Sequence, residues 1–268
     1  MNDSQLEHLV NQVRSSSKYE RVNSLLVSRL CKEALVAGLS GKTAIKFVRN
    51  KLHQVGGAYF TRKADYRALI PSLEQCSTEL FSAEIQGFSR QTMLHHASTA
   101  ERLPIIETFY HTCLASISPI VSISDLACGL NPLALPWMPL ADNFQYYACD
   151  IYEDMLELIA AFFDHCKVKG QVAPCDLIAK VPSKKTQVTF LLKSIPCLEQ
   201  MDKSASKRLL ENILSDHILV SFPVHSLSGR RKGMPSFYKN HFLSLISGKP
   251  WSVQEFHFQT EIAFLISK

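Results

Sequence analysis

Ser122-Ile-Ser-Asp-Leu-Ala-Cys-Gly-Leu-Asn-Pro132 is an apolar run that ends in an acidic residue and a turn punctuated by glycine. An open α/β sheet presents a nucleotide-like ligand at its carboxyl edge through such a strand and turn. Further apolar runs follow at Gln145 to Ile151, Gly170 to Pro174, Val188 to Lys193 and Ile218 to Pro223. Helical segments such as Met155 to Cys166 and Lys203 to Leu214 separate them, so the spacing predicts a mostly parallel, doubly wound sheet. Ser252 to Phe258 and Glu261 to Ser267, split only by Gln259-Thr260, predict a closing antiparallel hairpin.

The turn is not a full G-x-G-x-G. Ala127 and Asn131 stand where glycines would, and Gly129 alone remains, although Asn tolerates a positive φ better than most residues. Taken alone, it allows a nicotinamide or a flavin as readily as any other nucleotide cofactor. Its context adds Asp150, 21 positions beyond Gly129 at the end of the next strand, suited to accept hydrogen bonds from ribose hydroxyls. Asp176, at the end of the third strand, falls near the adenine end of such a ligand, and either acid could instead cap a helix or a turn. Five alternating strands closed by a hairpin is the order of the Rossmann-like methyltransferases rather than of the dehydrogenases.

Upstream of the sheet the chain reads as helical and basic. Residues 1–67 hold 12 Lys/Arg against 5 Asp/Glu, and the remaining 201 residues 17 against 19, so the whole net charge of +5 comes from the first quarter. Such asymmetry fits a polyanion-facing module joined to a near-neutral one. One helix there places Ile45, Val48, Leu52 and Val55 on a packing face and Lys42, Lys46, Arg49 and His53 on a neighbouring face that can meet phosphate. Gly56-Gly57 ends it. A further helix is expected from about Lys63 to Phe81, and Ser98 with Glu101 has capping-box spacing ahead of Leu103, Ile106, Phe109 and Tyr110. This segment is the expected joint between an N-terminal helical domain, 1–94, and a sheet domain, 95–268. The eight cysteines form no Cys-x-x-Cys, so no zinc site or redox motif is expected, and they read as reduced, mostly buried thiols. The amino terminus has no apolar signal region and no run is long enough to span a bilayer, which predicts a soluble, cytoplasmic protein with no metal and no membrane partner.

Five separated stretches carry a resemblance: Lys51-Leu-His-Gln-Val-Gly-Gly-Ala-Tyr59, His96-Ala-Ser-Thr-Ala-Glu-Arg-Leu103, Asp125-Leu-Ala-Cys-Gly-Leu-Asn-Pro-Leu-Ala-Leu135, Leu191-Leu-Lys-Ser-Ile-Pro-Cys-Leu198 and Ser221-Phe-Pro-Val-His-Ser-Leu-Ser-Gly-Arg-Arg-Lys-Gly-Met234. Together, and in this order, they resemble the aminoglycoside-resistance 16S rRNA (guanine(1405)-N(7))-methyltransferases over essentially the whole chain. The resemblance implies a class I methyltransferase sheet with S-adenosylmethionine as cofactor and 16S rRNA in the assembled 30S subunit as substrate, acted on by a monomer. It implies that Arg102 holds the methionine carboxylate with His96 and Tyr59 nearby, and that Ala127 and Gly129 pass under the cofactor. Asp150 would take the ribose, with Ile151 also at the cofactor, Asp176 and Leu177 would flank the adenine, and Leu192 and Lys193 would border the methyl donor and the target. The loop through Arg230, Arg231, Lys232 and Met234 would close on the flipped nucleotide. His225 and Arg231 depart from the family pattern, so the charge of that loop is redistributed.

Guanine N7 carries a free lone pair, so its methylation needs in-line approach and no prior proton removal; no general base is expected. Replacing Arg102 or Asp150 is expected to weaken cofactor binding and leave the fold intact. Two rival readings remain: a methyltransferase acting on another base, such as adenine N1, and a non-catalytic RNA-binding protein on the same fold.

Overall fold

The computed structural model describes residues 3–54, 65–224 and 234–268. Val55, the Gly56-Gly57 pair, Tyr59, His225, Arg230, Arg231 and Lys232, all singled out in the sequence, lie outside the described residues. The N-terminal segment forms α1 (Asp3–Arg14), α2 (Ser24–Val36), α3 (Gly41–Leu52), the short α4 (Ile70–Glu74) and α5 (Ala83–Met93). α6 (Ala97–Arg102) and α7 (Ile106–Leu114) lead into β1 (Ile120–Leu126), β2 (Leu140–Asp150), α8 (Glu153–His165), β3 (Gly170–Pro174) and β4 (Val188–Leu192). α9 (Ile195–Met201), α10 (Ala205–Asn212), β5 (His217–Pro223), α11 (Met234–Leu245), β6 (Ser252–His257) and β7 (Glu261–Ser267) complete the chain.

The seven strands run in the order β3-β2-β1-β4-β5-β7-β6, with β1 to β5 parallel and the predicted hairpin antiparallel at one edge. β7 pairs with β5 in a register that sets Glu261 opposite Pro223, so the start of the last strand reaches the carboxyl edge of the sheet. Alternate residues feed two apolar layers, as strand geometry requires. Ile123, Tyr146, Phe190 and Leu219 face the layer under α7 and α8, while Leu126, Leu191, Val220 and Phe264 face the layer under α9, α10 and α11. The first layer runs without a break into the N-terminal helices, where Val13, Leu30, Val48 and Leu52 are buried with Met155 and Ile159 of α8. Each such side chain contributes roughly 1.5–3 kcal/mol on burial.

Three expectations change. Of the helix expected from about Lys63 to Phe81, the described residues 65–81 form only the one-turn α4, preceded by a 3₁₀ turn at Arg67–Leu69. The expected capping box does not form, because α6 begins at Ala97 with His96 as its N-cap; Ser98 and Glu101 lie inside the helix, and Glu101 pairs with Lys193 instead. Cys149 and Cys175 are disulfide-bonded with their Cα atoms 5.6 Å apart, joining the exits of β2 and β3, where reduced thiols were expected. Among the described residues no helix is long and apolar enough to cross a membrane.

Candidate functional site

The chain leaves β1 through a turn whose geometry differs from the one its glycine pattern predicts. Ala127 (φ 54°) and Gly129 (φ 53°) take the left-handed conformation, and Asn131 does not. A left-handed alanine costs roughly 1–2 kcal/mol, which the surrounding contacts must offset. Gly129 is doubly constrained, since a Cβ at that position would lie 2.8 Å from Cε1 of His96. Its amide donates to Asp150 Oδ2 at 2.9 Å while the Ile151 amide donates to Oδ1 at 2.6 Å. Burial raises the Asp150 carboxyl above its ordinary range, and these amides with that of Tyr152 partly oppose the rise.

Asn131, freed from the backbone role, becomes a buried junction. Its Nδ2 donates to Asp125 Oδ2 at 2.9 Å, and its Oδ1 accepts from Arg102 Nη1 at 2.8 Å and from the Tyr110 hydroxyl. Arg102 is fully buried, with Nε donating to Glu261 Oε1 at 2.7 Å and Nη2 to Oε2 at 2.9 Å. Burial alone would lower this guanidinium and raise the Glu261 carboxyl; their mutual attraction reverses both. Lys193, also left-handed (φ 57°), ends β4 and donates to Glu101 Oε2 at 2.8 Å and to the Ser98 carbonyl at 3.2 Å. Glu261 Oε1 is 4.0 Å from the Lys193 ammonium, so the closing hairpin supplies one carboxylate to both buried cations. His96 is held down to about 4 by burial and by the Lys193 and Arg102 charges, and is therefore neutral near pH 7.

One cavity at the carboxyl edge of the sheet brings the predicted cofactor residues together. His96, Arg102, Ala127, Asp150, Ile151, Asp176, Leu177, Leu192 and Lys193 all line it. Gly129 lies outside the lining and acts through Asp150. Leu26, Asn131, Tyr152 and Met201 line it as well, and the sequence reading missed them. Met201 lies at the end of the helix that follows Lys193 and was within reach of inspection; Leu26, on a helix nearly 100 residues before the first strand, carries no local signal. Among the described residues no group of three or more His, Cys, Asp or Glu is arranged to hold a metal ion.

The predicted RNA-facing stripe divides. Lys42, Lys46 and His53 are exposed on α3 and just beyond it, His53 with its Nδ1 3.2 Å from the Lys18 ammonium. Arg49 instead donates to the carbonyls of Gln12 at 2.9 Å and Val13 at 3.4 Å, closing the end of α1, and is half-buried. Met234 opens α11, partly buried.

Residues 14–266 match the model of the ribosomal RNA methyltransferase (FmrO) family. The chain is 31% identical over 268 residues, 99% of its length and 98% of the relative's, to a 16S rRNA (guanine(1405)-N(7))-methyltransferase of Micromonospora rosea. A protein of the same description from Serratia marcescens is 27% identical over 259 residues, 97% of each chain. Among solved structures, the 16S rRNA methyltransferase RmtF in complex with S-adenosyl-L-homocysteine superposes with a TM-score of 0.83 at 25% identity, over 100% of this chain and 99% of that one. The 16S rRNA methylase RmtB gives 0.80 at 23% identity over 98% of both, a likeness of fold. The chain belongs to the FmrO family of ribosomal RNA methyltransferases.

Proposed function

We propose that this chain transfers the methyl group of S-adenosylmethionine to N7 of guanine 1405 in the 16S rRNA of the assembled 30S subunit, acting as a cytoplasmic monomer and conferring aminoglycoside resistance. The observation that carries the reading is the convergence of Arg102, Asp150 and Lys193 on one cavity at the carboxyl edge of the sheet in a chain of this family. When bound, S-adenosylmethionine supplies a methyl carbon made electrophilic by its sulfonium.

The donor set suits that cofactor. The Asp150 carboxylate accepts the amides of Gly129, Ile151 and Tyr152 and, with about four lone-pair sites, keeps acceptor capacity for a ribose hydroxyl. Arg102 commits donors to Glu261, Asn131 and the Tyr110 hydroxyl, and lines the cavity with donor capacity remaining for a carboxylate. Ile151, Leu177 and Leu192 give the cavity apolar walls against which a purine can lie. Guanine N7 attacks with a lone pair that bears no proton, so the residues bordering the target, Leu192 and Lys193, need only hold a near-attack geometry, a contribution that can reach several kcal/mol. Residues 1–94 are the rRNA grip, through the exposed Lys42 and Lys46, and residues 95–268 carry the chemistry. Arg230, Arg231, Lys232 and Met234 close on the guanine, whose extrusion from the RNA stack costs roughly a few kcal/mol.

The test is incubation of purified 30S subunits with the protein and methyl-labelled S-adenosylmethionine, followed by cleavage chemistry specific for N7-methylguanine. Label in 16S rRNA with cleavage at guanine 1405 is expected. Label at another nucleotide, as for an adenine N1 enzyme, or no label, as for a non-catalytic RNA-binding protein, would overturn the assignment.

A further inference from the structure

α2 lies far from the sheet in sequence and against the ligand cavity in space. Its N-cap, Asn23, accepts the amides of Leu25 at 3.1 Å and Leu26 at 3.4 Å through Oδ1, and its own amide donates to the Ile151 carbonyl at 2.8 Å. The Glu153 amide returns a bond to the Arg21 carbonyl at 2.8 Å, and Val22 bridges Tyr152. The start of α2 is thus stitched to the segment that directly follows Asp150. One turn further on, Leu26, 2% exposed, lines the cavity together with Ile151 and Leu177.

At the next turn Arg29 reaches Asp176, Nε donating to Oδ2 at 2.5 Å and Nη2 to Oδ1 at 3.3 Å. Asp176 Oδ1 also accepts the amides of Ile178 at 3.1 Å and Ala179 at 3.3 Å. The carboxylate is therefore committed to closing its own turn and to the guanidinium, and its side chain is only 10% exposed. Leu177 sits inside that turn, on the cavity wall. The first turns of α2 run along the cavity from the exit of β2 to the exit of β3, tied at Asn23 and at Arg29, and the helix also packs on α3, which carries Lys42 and Lys46.

We propose that α2 is part of the cofactor site: Leu26 is one of its apolar contacts, and Arg29 is a positioning residue that holds the Asp176–Ala179 turn, and with it Leu177, at the adenine end. The identity of the ligand rests on the function proposed above. Asp176 then serves the cofactor through Leu177 more than through its own oxygens. Because one rigid helix touches both the ligand and the rRNA-facing helix, the two sites share a structural element, and any coupling between them must act equally in both directions.

The test measures S-adenosylhomocysteine affinity by calorimetry, without RNA, for wild type, Arg29→Gln, Asp176→Asn and the double variant. Each single variant is expected to weaken binding about tenfold, since a charge-assisted pair orders the wall. The double variant should be no weaker than either single one, because both remove the same contact. With 30S subunits, KM for S-adenosylmethionine should rise while kcat holds. Arg29→Lys, which keeps the charge and one donor point, should recover part of the affinity and keeps the test readable if the glutamine variant loses its fold. Single-variant affinities within twofold of wild type, or a double variant as weak as the product of the two effects, would overturn the assignment of Arg29. Wild-type protein that binds S-adenosylhomocysteine but methylates a nucleotide other than guanine 1405 refutes the proposed target and leaves this inference standing, whereas wild type that does not bind it refutes both.

Discussion

Arg102 shows how one side chain can serve a ligand and the fold together. It is buried without residual exposure and gives one guanidinium edge, Nε and Nη2, to Glu261, while Nη1 holds Asn131. Removing one partner of such a pair strands the other charge, at a cost of about 3–5 kcal/mol. Arg102→Met is therefore expected to lower the urea midpoint severely, and adding Glu261→Gln should restore part of it; equal midpoints for the single and double variants would refute the pairing. Contrary to the expectation from the sequence, replacing Arg102 is not a clean test of cofactor binding. Gly129→Ala should fail differently, because the methyl group meets the His96 ring at 2.8 Å and moves the amide that holds Asp150. Cofactor affinity is expected to be lost there with a stability cost of about 1–2 kcal/mol, read by calorimetry and denaturation. His96 also sets a pH dependence. Its ring stays neutral down to about 4 in the fold and protonates near 6.5 when unfolded, so the stability His96 contributes is lost as pH falls through that window. Asp125, raised to about 6 chiefly by burial, acts in the opposite sense and loses stability as pH rises from about 4 to about 6. The difference between wild type and His96→Asn isolates the histidine. It should shift in the variant's favour by as much as about 3 kcal/mol between pH 6.5 and 4, and a pH-independent difference would show the ring is not buried neutral.

At the scale of the element, α3 separates packing from recognition along its length. Ala44, Val48 and Leu52 are buried, and Lys42 and Lys46 project from the other side. Neutralising these two lysines is expected to weaken 30S binding and to reduce the slope of log affinity against log salt by about 1–2, without changing S-adenosylhomocysteine affinity measured in the absence of RNA. An unchanged salt slope would remove α3 from the rRNA interface. Arg49 does not belong in that variant, since it closes the carbonyl end of α1 and its loss would cost stability as well. Helical periodicity placed all four basic side chains on one face, and could not register that one of them folds back onto a neighbouring helix.

For the molecule as a whole, the apolar layer that begins in α1 ends under β7 without interruption. Tyr152, Met155 and Ile159 lie in one packed cluster with Val22, Leu26 and Leu30. A fragment restricted to residues 95–268 would expose this apolar surface, at roughly 1.5–3 kcal/mol for each large side chain uncovered. The two functional halves are therefore expected to unfold as one, giving a single calorimetric transition for the full chain and no cooperative transition for the isolated C-terminal fragment. A well-resolved second transition would show that the halves are energetically separate.

The alternation of strand and helix and the closing hairpin were legible in the sequence because each rests on local periodicity and on short connections. Asp150 and Asp176 were legible for the same reason, since strand ends converge on one edge of a parallel sheet whatever the side chains do, whereas Leu192 and Lys193 came through the family resemblance. Tertiary structure alone decided how these residues are held. Glu261 joins Arg102 across 159 positions, Arg29 joins Asp176 across 147, and Asn131 gives up the left-handed turn position to Ala127 in order to link Asp125, Arg102 and Tyr110. Buried charges must find partners wherever the fold brings them, because leaving one unpaired costs several kcal/mol, and no local pattern records which distant element supplies the partner.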